Sequence, residues 1–304
     1  MQDEIEMNHE KMLIVGDNPF HGISHLSQER ARTRSVEGLS SHDKANVVLT
    51  AVQNGAEGFM FSVSDITLAI LRDIRKRRKI GQVKLLAMVP YTFEYVRIAA
   101  QKGTPGLAKK FAKQITSSGN IATALRGLNA VVRMSPKRLL NTYLSYEISR
   151  IESAAGKKAI SSILLHEVIT DMSLALNFDW LITDFISYLA SKNITPGFTS
   201  RNLPFLVRKF NDWNIDLDQT FLAIPFNKAG FQMNPSREEC EKTLSSISSH
   251  VVLAISVLAA GYHRVPEAAD YLACLRNLGG VVAGVSTEQQ AQETFRIFRE
   301  RLAT

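Results

Sequence analysis

Cysteine is scarce in this chain. Its 304 residues include two, Cys240 and Cys274, with no Cys-x-x-Cys pair and no Cys/His cluster. That excludes a zinc ribbon and a disulfide framework, and it fits a reducing compartment. Long hydrophobic runs are also missing, since no apolar stretch reaches the ~18 residues of a membrane span. The opening Met1-Gln2-Asp3-Glu4-Ile5-Glu6 is acidic and polar, unlike the start of a secretory signal. A soluble, cytoplasmic protein with no membrane partner is the expectation. Several fingerprints are absent as well. Val15-Gly16-Asp17-Asn18-Pro19-Phe20 is not Gly-x-Gly-x-x-Gly, and neither a Walker A loop nor a Gly-x-Ser-x-Gly elbow occurs. No His-x-His or His-Glu-x-x-His spacing occurs, so no metal is expected.

What remains is an ordinary globular composition, 45% hydrophobic and 21% charged. A chain this long buries a core without covalent staples. Its 36 Lys and Arg outnumber 29 Asp and Glu, a net charge of +7. The excess is local: residues 101–158 hold eleven Lys or Arg against two Glu. A second cluster, Arg75-Lys76-Arg77-Arg78-Lys79, sits where a helix should end, and cations there favour the negative end of the helix dipole.

Short apolar runs alternate with amphipathic stretches. Strands are expected at 12–16, 58–63, 84–89, 161–168, 194–199, 220–225, 251–256 and 280–284. Helices are expected between them, with a last one at 287–302. Continuous apolar strands separated by helices read as a parallel sheet covered on both faces. Eight β/α units read as a (β/α)8 TIM barrel forming a single domain over residues 1–304. Setting aside a basic helical insertion at 101–158, between strands three and four, leaves 246 residues, near the about 250 of a typical barrel. Cys240 and Cys274 fall in helical patterns and are expected in the core.

In a barrel, chemistry gathers where strands end and βα loops begin. Strand one ends in Asp17-Asn18 with His21 beyond, and a free imidazole there can move a proton. His166 stands in an otherwise apolar strand four; side chains alternate along a strand, so His166 rather than Glu167 is expected to face the mouth. Lys228, after strand six beside Asn227, can form a Schiff base if desolvated or hold an anion. Arg201 and Asn202 form a second anion-binding candidate after strand five, beside Ser200. Ser256, Gly261 and Tyr262 follow strand seven, and Ser286 and Thr287 follow strand eight, where barrels bind phosphate with backbone N–H groups. Ser286 or Thr287 also suits the N-cap of the last helix.

Four elements in the second half resemble the aldo-keto reductase superfamily in order. They are Leu164-Leu165-His166, then Gly197-Phe198-Thr199-Ser200-Arg201-Asn202, then Leu253 through Gly261, then Ala283-Gly284-Val285-Ser286-Thr287-Glu288-Gln289-Gln290 followed by Glu293. The resemblance implies a barrel, reduction of a carbonyl and NADP as cofactor. It also implies an Asp, Tyr, Lys and His catalytic set, of which His166 alone carries over by position. Phe61-Ser62-Val63-Ser64-Asp65 lacks the acid-then-tyrosine arrangement, and Met88-Val89-Pro90 stands where the family has lysine. The last helix start lacks the arginine that often holds the adenosine 2′-phosphate.

Three readings follow. The first is a barrel enzyme acting on a small anionic, phosphorylated or carboxylated, carbonyl or sugar-like substrate. His21 and His166 would move protons and Lys228 and Arg201 would hold the anion, giving lyase, aldolase or isomerase chemistry. The second is a divergent NAD(P)H-dependent oxidoreductase. Ser200, Asn202, Ser256, Ser286 and Thr287 would line its cofactor site, and Tyr91 or Tyr262 would replace the missing donor. The third is an interaction protein whose basic insertion binds RNA, an acidic partner or its own copy. The insertion has few aromatics and no nucleic-acid motif, so a lid or a homo-oligomer contact is favoured over nucleic acid.

Overall fold

The computed structural model describes residues 11–21, 39–90, 136–247 and 252–303. Eight strands run parallel and close on themselves in sequence order, with the first strand paired to the eighth. They are β1 (Met12–Gly16), β2 (Gly58–Ser62), β3 (Lys84–Val89), β4 (Ile160–Leu165), β5 (Thr195–Thr199), β6 (Phe221–Pro225), β7 (Val252–Ile255) and β8 (Leu278–Gly284). The fold is the expected (β/α)8 barrel.

Helices form an outer ring. They are α1 (Ser41–Gln53), α2 (Asp65–Lys76), α3 (Pro136–Ala155), α4 (Glu167–Ala175), α5 (Asp179–Ala190), α6 (Leu203–Asp212), α7 (Arg237–Ser246), α8 (Val265–Ala273) and α9 (Glu288–Leu302). Side-chain caps fix where several begin. Ser40 accepts from Asp43 N–H and Ser64 from Thr67 N–H, each in a reciprocal capping box. Asn202, Ser236 and Thr287 cap α6, α7 and α9 in the same way. None of the described helices is long and apolar enough to cross a membrane.

Between β3 and β4 the chain makes its longest excursion. Its final helix, α3, packs on α2 and α5 and so fills the third place in the ring. Residues 136–155 of the expected insertion are therefore barrel framework, and the stretch before them, 91–135, lies outside the described residues. The Arg75–Lys79 cluster is structural at its centre. Arg77 donates to Asp73 at 2.8 Å and to Asn46 at 2.5 Å, tying the end of α2 to α1. Cys240 is buried, and burial pushes its thiol up to about 11; Cys274, by contrast, is exposed at the end of α8 rather than in the core.

Two apolar layers follow from the alternation of side chains along each strand. Leu13, Phe59, Leu85, Ile163, Phe198 and Ile224 point outward against the helices. Ile14, Met60, Leu86, Leu164, Leu253 and Val282 fill the barrel interior. Glycine appears where the interior has no room. A Cβ on Gly280 would lie 2.5 Å from the carbonyl oxygen of Met12 and 2.9 Å from Leu253 Cδ2. Neither can retreat without disturbing the β1–β8 pairing. Gly280→Ala is expected to lower stability by about 1–3 kcal/mol, read as a lower urea midpoint at unchanged denaturant slope. An unchanged midpoint would show that this part of the interior is looser than the contacts imply.

Candidate active site

A cavity of about 590 Å3 opens at the C-terminal ends of the strands. Its floor is the topmost inward layer, Ser62 from β2, Met88 from β3, Thr199 from β5 and Ile255 from β7, with Met60 and Val282 of the layer below also reaching it. From there it extends over the loops after β7 and β8 to Gln290, Glu293, Thr294 and Ile297 on α9, and to Val265 and Pro266 on α8. It is therefore an elongated site with a deep end in the barrel mouth and a shallow end between two helices.

Asp17 lines the deep end and is 4% exposed. Its Oδ2 accepts the Ser62 N–H at 2.7 Å and a bond from His21 Nε2 at 3.0 Å. The short 3-10 turn Asn18–His21, closed by Phe20 N–H to Asp17 O, brings His21 back over the carboxylate. His21 is thus buried behind Asp17 rather than on the cavity wall. Asn18 lines the cavity beside Asp17.

His166 also lines the cavity and is 8% exposed. Strand β4 ends at Leu165, earlier than residue 168, because His166 caps α4: its Nδ1 accepts the Val168 N–H at 3.2 Å. An Nδ1 that accepts leaves the neutral ring its proton on Nε2. Burial holds the imidazole below its ordinary value, assisted by Arg201 and opposed by Glu167. Since a helix begins at Glu167, strand alternation ends there, and Glu167 lines the cavity together with His166. Glu167 binds the guanidinium of Arg201, which is the one Lys or Arg among the described residues that reaches the cavity wall.

Other candidates are committed to holding loops. The Ser200 hydroxyl donates to Asp171 at 2.6 Å, and Asn202 Oδ1 accepts the Phe205 N–H. Burial pushes the Asp171 carboxyl upward, and the Ser200 hydroxyl and Arg201 N–H partly offset this. Asn227 is fully buried, exchanging bonds with the backbone of Phe231 to close the loop after β6. Thr287 caps α9 through Gln290 N–H. None of these four lines the cavity, whereas Ser256, Gly261 and Ser286 do.

Two expectations need correction. The Lys228 side chain is 56% exposed and sits 3.4 Å from Glu267, outside the cavity. The desolvated setting that Schiff-base chemistry uses is missing there. Tyr262 is 76% exposed, its ring edge against His263, and it also lies outside the lining. Tyr91 falls outside the described residues. Sequence reasoning passed over Ser62, Thr199 and Gln232 on the wall, although Ser62 and Thr199 are the inward positions at the ends of their strands.

The wall after β7 is strained. Ser256, Ala259 and Ala260 have φ of 53°, 44° and 61°, followed by Gly261 at 90°. Left-handed backbone costs a non-glycine residue roughly 1–2 kcal/mol, and such strain gathers where a loop must present itself to a ligand. Ser256 is steadied by a 3.3 Å bond from its hydroxyl to Gln232 Oε1. Gly284 ends the neighbouring strand β8, where a Cβ would meet Pro19 Cδ at 2.9 Å.

No protein-family model matches the chain, and no curated protein sequence matches it. Solved structures do. Two from Pseudomonas aeruginosa, described as an aldo-keto reductase, align with TM-score 0.61 and 9% identity. Each alignment covers 95% of this chain and 90% of the other. An aldo/keto reductase from Klebsiella pneumoniae in complex with NADP and acetate aligns with TM-score 0.51 and 12% identity, covering 97% and 93%. At these identities the likeness is one of architecture: the chain has an aldo-keto-reductase-like (β/α)8 barrel fold.

Proposed function

We propose that this barrel is a nicotinamide-dinucleotide-dependent oxidoreductase that reduces a carbonyl group. The observation that carries the reading is the shape of the cavity, which runs from a neutral, buried His166 across the β7 and β8 rims to α9. The residues present suit an extended cofactor. Ser256, Gly261 and Ser286 offer polar groups along the middle of the path, and the N-terminus of α9 lies beside it. Backbone N–H groups at a helix start favour a diphosphate there. The NADP-bound structure from Klebsiella pneumoniae shares the fold, which supports the same reading.

Bound in this way, the cofactor would supply a hydride. The chain's part is polar preorganisation. The Nε2–H of His166, on the cavity wall, would serve as the donor to the carbonyl oxygen, held in place without rearrangement when negative charge develops. Asp17, held by the Ser62 N–H and by His21 Nε2, would add a carboxylate at the deep end of the site. Met60, Met88 and Ile255 form a dry floor beneath the reacting carbon. Thr199 is held to Leu165 O at 3.1 Å and sets one side of that floor. The lyase or aldolase reading depends on Lys228, whose place in solvent argues against it.

Titration of the full chain with NADH and NADPH, followed by cofactor fluorescence and thermal shift, is the direct test. Saturable binding in the micromolar range is expected, and no binding of either at millimolar concentration would overturn the reading. With a panel of quinones, aldehydes and 2-oxo acids, His166→Ala should lower kcat by about 100-fold or more while leaving dinucleotide affinity within a few-fold. Lys228→Ala should leave turnover unchanged; abolished turnover would restore the lysine chemistry.

His166 also makes a pH prediction. Its folded value lies below that of the unfolded chain, so the unfolded state takes up a proton first as pH falls. The contribution of His166 is complete above about pH 6.5 and is lost as pH falls through the lower folded value. His166→Asn keeps an oxygen for the Val168 N–H but cannot titrate. Urea midpoints measured across this window should lose much of their pH dependence in the variant, and an unchanged profile would place the titration elsewhere.

A further inference from the structure

His166 and Arg201 leave adjacent strand ends. Leu165 and Phe198 are partners across β4 and β5, and neighbouring strands lie about 4.8 Å apart. Both side chains then line the cavity, and the charge of Arg201 helps to hold the His166 imidazole below its ordinary value. Arg201 is pinned through its backbone on both sides: its N–H donates to Asp171 Oδ2 at 3.4 Å, and its carbonyl accepts the Asn234 N–H at 2.8 Å. The guanidinium is therefore presented from a fixed base. The side chain is 42% exposed, so a ligand in the cavity can reach it.

A guanidinium offers five N–H donors in a planar fork. Glu167 takes its bond through Nη2, and Nε is buried with no hydrogen-bond partner. The pair is thus half made: Glu167 orients the fork without filling it. A carboxylate, planar and with two oxygens, matches the remaining donors better than a lone hydroxyl does. A phosphate monoester, at about −1.5 to −2 charges, would be repelled more strongly by Glu167 than a singly charged carboxylate. We infer that Arg201 receives a carboxylate carried by the substrate beside its reacting carbonyl, which makes 2-oxo acids the substrate class. The inference rests on the oxidoreductase reading above and adds to it the substrate and the residue that selects it. The product would be the 2-hydroxy acid: the carbon–oxygen π bond opens, the carbon gains the hydride of a reduced nicotinamide dinucleotide, and the oxygen gains a proton from water.

Matched substrates test this with the full chain and whichever dinucleotide it binds. Pyruvate and phenylglyoxylate are compared with their methyl esters, which keep the carbonyl and lose the charge. The acids should show kcat/KM about tenfold or more above the esters at low salt, and added salt should narrow the gap. Arg201→Gln should bring the acids down to the level of the esters. Arg201→Lys, which keeps the charge and loses the fork, should fall between. Glu167→Gln should lower KM for the acids, because the guanidinium then faces one carboxylate rather than two. Oxamate, an unreactive 2-oxo acid analogue, gives a readout without turnover: its thermal shift in the presence of dinucleotide should vanish in Arg201→Gln. Esters reduced as well as acids, or oxamate bound equally by Arg201→Gln, would overturn the inference while leaving the oxidoreductase reading intact. An equal fall for acids and esters in Arg201→Gln, with a lowered melting temperature, would make Arg201 a structural residue only. Binding of neither dinucleotide would overturn the inference together with the reading on which it rests.

Discussion

Closure of the sheet is the constraint on which the rest of this molecule depends. Once β8 pairs with β1, every strand must send alternate side chains into a space of fixed width. Ile14, Met60, Leu86, Leu164, Leu253 and Val282 fill that space, and Gly58, Gly197 and Gly280 stand where neighbouring side chains or carbonyls already occupy it. A filled interior leaves polar groups only at the rim. The next inward layer above the apolar one is where Ser62, Met88, Thr199 and Ile255 form the cavity floor. The site is thus the last turn of the same alternation that builds the core.

Strand ends decide which rim residues are usable. At β4 the strand gives way to a helix within a single residue, and His166 serves both purposes. Capping α4 through Nδ1 fixes the tautomer, and burial keeps the ring neutral. One short contact therefore sets orientation, protonation and donor position together. At β1 a comparable economy holds Asp17. The Ser62 N–H and His21 each donate to its carboxylate, so a nearly buried charge is kept hydrogen-bonded, as buried charges must be. Arg201 and Glu167 pair with one another at the β4–β5 side of the mouth, so the guanidinium that reaches the described wall is already engaged.

Much of this was legible in the sequence. Apolar runs alternating with amphipathic stretches placed eight strands, close to where the barrel has them. His166 stood out because a histidine inside Ile-Leu-Leu must face either core or site. What failed was direction. Lys228 and Asn227 adjoin a strand end, but beyond the last ladder bond the chain is a loop, and its side chains follow local closure rather than the pleat. The same limit hid Glu167, whose inward aspect exists only because the strand stops early. The insertion between strands three and four stands where it was expected, and its last part, 136–155, is a helix of the outer ring.

The substitutions that separate this site from the reductase pattern form a coherent set. Met88 stands where that pattern has a lysine, so no cation is available at β3 to depress a neighbouring phenol. A tyrosine donor in such surroundings would hold its proton too tightly to give it up readily at neutral pH. Here the polar groups at the mouth are instead an imidazole, His166, and a carboxylate, Asp17, each held by backbone N–H groups. Asp17 comes from β1 yet is anchored on the backbone of Ser62, at the end of β2 where the pattern places its acid. The carboxylate is supplied from a different strand to nearly the same part of the rim. In a barrel whose eight strand ends converge on one mouth, a carboxylate from β1 can thus stand beside the end of β2.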